Sequence, residues 1–114
     1  MLPKANRLHK ETDFKKVHQK GNFTRGKHLV LKVMPNNLKV SRFGIIVSNK
    51  TSPKPTIRNL IKRRLREIIR LELKADHIKP GFDVVVMTKP SIVNENYFSI
   101  KQNLLDVAGR AGIM

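Results

Sequence analysis

The sequence predicts an α+β sandwich with elements in the order α-β-β-α-β-α around a three- to four-stranded sheet. Three observations carry that prediction. Residues 57–74, IRNLIKRRLREIIRLELK, repeat their apolar side chains with a helical period. Residues 23–34 and 39–48 alternate their side chains with period two, as strands do. The run FDVVVM at 82–87 is short, rich in β-branched residues and preceded by Pro80-Gly81, which suits an interior strand. A chain of 114 residues is long enough for one modest core and not for two, so residues 1–114 form a single domain.

Taken in order, residues 1–10 are polar and basic and read as an extended segment anchored by Leu8. Thr12 is placed to cap a short helix with Asp13 in its first turn and Gly21 at its end. Phe14, Val17 and His18 fall at i, i+3 and i+4 and give this helix one apolar side. Leu29, Leu31 and Val33 then alternate with His28, Val30, Lys32 and Met34, so the strand has two unlike faces. Phe23 to Gly26 offers a further strand before it. Pro35-Asn36-Asn37 reads as a turn. Phe43, Ile45 and Val47 share a face of the next strand, and Gly44 between them permits a bend or a close approach. Asn49 to Thr56 is a basic loop with Thr56 positioned as a helix cap. The long helix should end near Asp76. Asn94 is the expected cap of a last helix with Tyr97, Ile100, Leu104, Leu105 and Ala108 buried and Gly109 at its end.

The long helix dominates the charge distribution. Ile57, Leu60, Ile61, Leu65, Ile68 and Leu71 form its apolar arc, and Arg58, Lys62, Arg63, Arg66, Arg70 and Lys74 cover the rest. Seven basic side chains against two acidic ones (Glu67, Glu72) leave it at +5. Solvated helices usually mix signs more evenly, so this imbalance points to a face for polyanions. Arg64 falls inside the arc, where it either snorkels past the core or reaches a second surface.

The whole chain carries +16. Between Asp13 and Glu67 there is no acidic residue but there are fifteen Lys and Arg. Such a block attracts phosphates, through bidentate Arg and point-charge Lys. Absence of Cys excludes disulfides and thiolate metal sites. There is no apolar run of membrane-spanning length and no apolar signal core, so a cytoplasmic protein without membrane association is expected. His9, His18, His28 and His77 show no metal-ligand spacing, and the eight carboxylates form no acid–base motif. Phe14 has two readings, core packing or stacking on an unpaired base beside His18.

The segment Arg58-Asn59-Leu60-Ile61-Lys62-Arg63-Arg64-Leu65-Arg66-Glu67 resembles the RNR motif of the bacterial ribonuclease P protein subunit. Asn6-Arg7-Leu8, Asp13-Phe14 with Val17 and Gly21, Arg42-Phe43-Gly44, Val47-Ser48-Asn49-Lys50, Asp83 and Lys89-Pro90 follow in that family's order, so the likeness covers nearly the whole chain. Leu60 stands where the family often has a second Arg, Pro55 where Ala is usual in a loop one residue longer, His18 for a common aromatic and Lys32 for a common Tyr.

The resemblance implies a left-handed βαβ crossover that contains the long helix. It also implies a partner, the catalytic ribonuclease P RNA, which carries the Mg²⁺-dependent hydrolysis that matures the 5′ end of transfer RNA. No side chain of this protein would be catalytic. Arg58, Asn59, Lys62, Arg63 and Arg66, with Lys50 and Lys54, would grip that RNA. Phe14, His18, Val30 and Lys32 would form a cleft for the 5′ leader of precursor transfer RNA. Composition alone would favour a small ribosomal protein binding ribosomal RNA, but the ordered motifs from Asn6 to Pro90 argue for the first reading. A DNA-binding protein is disfavoured because neither helix-turn-helix spacing nor a dimer zipper is present.

Overall fold

A computed structural model describes residues 2–114. After a 3₁₀ turn at Lys4–Asn6 come α1 (Glu11–Lys20), β1 (Asn22–Arg25), β2 (Leu29–Pro35), β3 (Arg42–Ile46), α2 (Pro55–Lys74), β4 (Phe82–Thr88), a second 3₁₀ turn (Pro90–Asn94) and α3 (Tyr97–Arg110). The sheet has the spatial order β1-β2-β4-β3. β1–β2 and β2–β4 are antiparallel, whereas β3–β4 is parallel and is joined by α2 as the crossover. The expected element order holds, with Phe23 to Gly26 supplying the additional strand as β1. The all-apolar centre of β4 is explained by its place between β2 and β3, covered on both faces.

One face of the sheet makes the main core. Leu29, Leu31 and Val33 of β2, Val84 and Val86 of β4 and Phe43 of β3 meet Ile61, Leu65 and Ile68 of α2 and Ile100, Leu104 and Val107 of α3. The other face is partly covered by α1 alone, in a small cluster of Leu8, Val17 and Val85 with Phe14, Met34 and Met87 beside it. The N-terminal segment is more structured than an extended tail. Leu2 and Leu8 are both buried. Arg7 bridges in parallel to Phe43, and the Leu8 amide donates to the Phe43 carbonyl at 2.9 Å, so this segment covers part of the open edge of β3.

Several boundaries differ from the sequence reading, each for a local reason. Lys10, not Thr12, precedes the first helical residue of α1, and its carbonyl accepts from the amides of Asp13 and Phe14. Thr56 lies inside α2, because Pro55 occupies the first turn with its φ already suited to a helix and no amide to satisfy. Asn94 belongs to the turn that Pro90 starts, and Asn96 caps α3 by accepting from the Ser99 amide at 2.8 Å. That helix runs through Gly109 to Arg110, and Val107 joins its buried stripe. In α2 the buried arc is Ile61, Leu65, Ile68 and Ile69, while Leu71 is 41% exposed and Leu60 only half-buried. The arc is therefore rotated toward Ile69, which changes the direction in which the basic side chains point.

An ion pair on the α1 face ties the strands to that helix. Arg42 of β3 donates to both oxygens of Asp83 on β4, from Nε at 2.8 Å and Nη2 at 2.7 Å, and Asn36 Nδ2 adds a third donor at 2.9 Å. Arg42 also lies 3.5 Å from Asp13 in the first turn of α1. Burial disfavours the Asp83 charge, but the Arg42 and Asn36 hydrogen bonds and the charges of Arg42 and Lys16 outweigh it, so its pKa is lowered. A carboxylate with a lowered folded pKa contributes stability above its unfolded value, about 3.9, and loses that contribution as pH falls through the folded value. Replacing Asp83 by Asn should cost about 2–4 kcal/mol at neutral pH, since it removes the bidentate carboxylate and leaves the half-buried guanidinium only Asp13, at 3.5 Å, as counter-charge. The gap between the melting curves of parent and Asp83→Asn protein should begin to narrow below about pH 4 and close only below the lowered folded pKa of Asp83.

Candidate nucleic-acid interface

On the α1 face the strand registers place residues of all four strands in rows. Phe23, Lys32, Val85 and Gly44 form one row, and Arg25, Val30, Met87 and Ile46 the next. A groove of about 300 Å³ runs between α1 and this floor. Its helical wall is Phe14, Lys15, His18 and Gln19, and its floor is Lys32, Val85, Met87 and Ile46. Residues i, i+1, i+4 and i+5 share one side of a helix, so the wall follows from the pitch of α1.

Phe14 is partly buried beside the second cluster and also lines the groove, so packing and exposure to a ligand coexist in one side chain. Its ring lies on β3 where Gly44 has no side chain. A Cβ built there would come within 2.3 Å of the ring. The close approach expected at Gly44 is thus made by Phe14.

His18 and Lys32 are joined to each other. Lys32 Nζ lies 2.9 Å from His18 Nδ1 and donates to the His18 carbonyl at 3.1 Å. An ammonium group has only donors, so Nδ1 accepts and the neutral ring carries its proton on Nε2, free to donate. Lys32 also completes the carbonyl end of α1, where a cation is favourable. Val30 is buried and paired with Met87, and it does not line the open groove. Sequence patterns missed Lys15, Gln19, Ile46, Val85 and Met87. The first two could have been found from their spacing to Phe14 and His18, whereas the floor residues depend on strand register.

On α2, Asn59, Arg63 and Arg66 border an outward recess of about 590 Å³ with Thr56, Leu60 and Glu67. Arg63 and Arg66 are exposed. Arg58 turns back and donates to the Ser52 carbonyl at 2.9 Å, and Lys62 is half-buried at the edge of the helix. The structure thus separates Arg63, Arg66 and Asn59 from Arg58, which holds the preceding loop. Lys50 and Lys54 of that loop are exposed. Arg64 reaches the Glu95 carbonyl at 3.4 Å, so it spans to the start of α3. Arg66 also borders a recess of about 380 Å³ lined by Arg7, His9, Phe14, Gly44 and Ile45. The helix ridge and the groove therefore meet at a corner, where Arg66 and Phe14 share one recess.

Electrostatics reinforce both surfaces. Among the described residues Glu11, Asp13, Glu67, Glu72, Asp83, Glu95 and Asp106 each have a cationic or His partner within 4 Å, leaving only Asp76 of the eight. Among the described residues only Lys15, Arg42, Arg70 and Arg110 of the 24 Lys and Arg have a carboxylate that close. Most positive charge is unmatched, and its field extends outward. The described residues contain no group of three or more His, Asp and Glu arranged to hold a metal ion.

A crossover helix turned outward as a basic ridge, beside an apolar groove with cationic rims, defines a small α+β nucleic-acid-binding protein. The sequence model of the Ribonuclease P family matches residues 2–112. The chain is 40% identical to the ribonuclease P protein component of a Synechocystis strain, over 99% of this chain and 90% of that protein. It is 34% identical to the corresponding Clostridium botulinum protein, with 96% and 97% covered. Among solved structures, a Staphylococcus aureus RNase P protein mutant with defective mRNA degradation activity superposes with a TM-score of 0.89 at 28% identity, covering 97% of this chain and 92% of that one. The RNase P protein of Thermotoga maritima gives 0.82 at 30% identity, with 91% and 96% covered. This chain belongs to the ribonuclease P protein family, the protein components of an endoribonuclease holoenzyme.

The contact of Phe14 with β3 is open to direct test. In Gly44→Ala protein the ring must move, and such overpacking should cost about 1–3 kcal/mol. A lowered melting temperature with altered Phe14 ring resonances is the expected result.

Proposed function

We propose that this protein is the RNA-binding subunit of a bacterial ribonuclease P, gripping the catalytic RNA with one surface and the precursor transfer RNA leader with another. Arg63, Arg66 and Asn59 on the α2 ridge, with Lys50 and Lys54 of the preceding loop, contact phosphates of the catalytic RNA. Lys62 contributes from the helix edge, and Arg58 supports the loop that presents the two lysines. The groove beside α1 holds single-stranded leader, with Phe14 offering a ring face, His18 an Nε2–H donor and Lys32 a positive charge at the rim. Val30 supports the floor from beneath. The observation that carries this reading is the shared corner of Arg66 and Phe14, which lets one RNA–protein assembly present both RNAs side by side.

In this assignment the protein supplies no acid–base pair. Asp83, Glu67, Glu95 and Glu72 are engaged by Arg42, Arg70, His28 and His77. In this assignment Mg²⁺ belongs with the RNA. No helix among the described residues is long and apolar enough to cross a membrane, which supports action in the cytoplasm, where precursor transfer RNA is made.

Reconstitution with a bacterial ribonuclease P RNA at low Mg²⁺ tests the proposal, because phosphate repulsion is least screened there. RNA-free protein should cleave nothing, and the mixture should mature precursor transfer RNA faster than the RNA alone. Co-purification of ribosomal subunits, without a discrete ribonuclease P RNA, would instead favour a ribosomal role.

Assembly affinity should fall with salt, each neutralised phosphate adding about 0.7–0.9 to the slope of log K against log salt. The Arg63→Ala, Arg66→Ala double variant should weaken assembly by about 1–3 kcal/mol per lost charge-assisted contact, less where solvent screens it. Phe14→Leu should leave assembly intact and weaken precursor binding by about 1–3 kcal/mol, without effect on mature transfer RNA. Filter binding at several salt concentrations distinguishes these outcomes, with a thermal melt of each variant to establish that it is folded.

A further inference from the structure

The groove beside α1 is walled as far as Lys32 of β2, yet the sheet continues for one more strand. The row that begins at Gly44 under Phe14 passes through Val85 and Lys32 and ends at Phe23 on edge strand β1. Directly opposed residues point to the same face, so Phe23 projects on the groove side. The two ends of the row are three strand spacings apart, about 14 Å. An aromatic side chain thus stands at each end, with Val85 and Lys32 between them.

Phe23 is 49% exposed, although an edge-strand aromatic could have been folded inward. The Arg25 guanidinium carbon lies 5.1 Å from its ring centroid and Lys32 Nζ 5.7 Å. These cations hold the ring in place by its quadrupole and put positive charge at its margin. Lys32 is also tied to His18, so the ring is braced against the groove wall through that side chain. Phe98 is more exposed, at 67%, but it does not border the groove beside α1, and among the described residues no cation lies over its ring.

We propose that Phe23 and Arg25 form a further subsite for single-stranded RNA, where a base stacks on the Phe23 ring and the adjoining phosphate meets Arg25. Single-stranded sites combine such features, a sequence-tolerant ring face beside a cation that tracks the backbone. The RNA would run across the strands, parallel to α1, from Phe14 over β3 to Phe23 over β1. His18 and Lys32 would lie midway along that path. This subsite rests on the assignment of the groove to the leader, and it adds direction and length. A leader long enough to cross the sheet makes contacts that a short one cannot.

The test uses holoenzyme reconstituted with a bacterial ribonuclease P RNA and precursor transfer RNAs whose single-stranded leaders increase in length. Phe23→Ala and Phe23→Leu should weaken binding of long-leader precursor about 5- to 100-fold. Short-leader precursor and mature transfer RNA should bind these variants as they bind the parent. Phe23→Trp should restore long-leader affinity, since it supplies a ring, and Arg25→Gln should reduce the salt dependence for long leaders only. Phe23→Leu retains apolar bulk and separates loss of the ring from loss of fold. A loss independent of leader length would overturn the subsite. So would parent-like binding by both variants while Phe14→Leu still weakens long-leader precursor, an outcome that leaves the groove assignment standing. Parent-like binding by the Phe14 and Phe23 variants alike would remove the groove assignment as well.

Discussion

A sheet with two apolar faces and too little helix to cover both is the constraint from which the rest of this structure follows. α2 and α3 close one face completely. On the other lies only α1, whose ten residues reach about 15 Å. The strip beneath it is sealed by Leu8, Val17 and Val85, and the strip beside it stays open. Apolar floor, helical wall and cationic rim are thus products of incomplete coverage, and no dedicated binding loop is required. Ile46, 41% exposed, and Met87 show that this floor is apolar although it faces solvent.

Much of the architecture was legible in local pattern. Alternation at Leu29, Leu31 and Val33 assigned one face of β2 correctly, and the β-branched run of β4 signalled its central place. The basic helix was visible from charge and period together. Helix ends were read less well, since capping residues compete: Pro55 outranked Thr56, and the Pro90 turn absorbed Asn94. The rotation of α2 was also misjudged. Leu60 and Leu71 satisfy a helical period as well as Ile69 does, and only contact with the sheet and α3 decides among them, whereas Ile57 packs against the core as expected. As a result Arg58, which looked outward-facing, proved to be bonded to Ser52.

The groove was only half legible, for a different reason. Its wall lies on one helix, so Phe14 and His18 could be paired by spacing. Its floor joins residues 32, 46, 85 and 87, and their adjacency is set by two registers between strands far apart in sequence. Val30 was assigned to the groove through the family resemblance, but it pairs with Met87 and is covered.

The spatial order β1-β2-β4-β3 has a consequence for how the chain is made. β2 and β3 never touch along their edges, and they are joined into one sheet only when β4 inserts between them. During synthesis the hairpin of β1 and β2 can close early, but a nascent chain that ends at Gly81 has no sheet to join it to β3. Until residues 82–88 emerge, two strand edges stand unpaired on a chain that repels itself electrostatically. Distant pairings of this kind are slow to form. Whatever screens that repulsion, salt included, should ease the pairing that β4 completes.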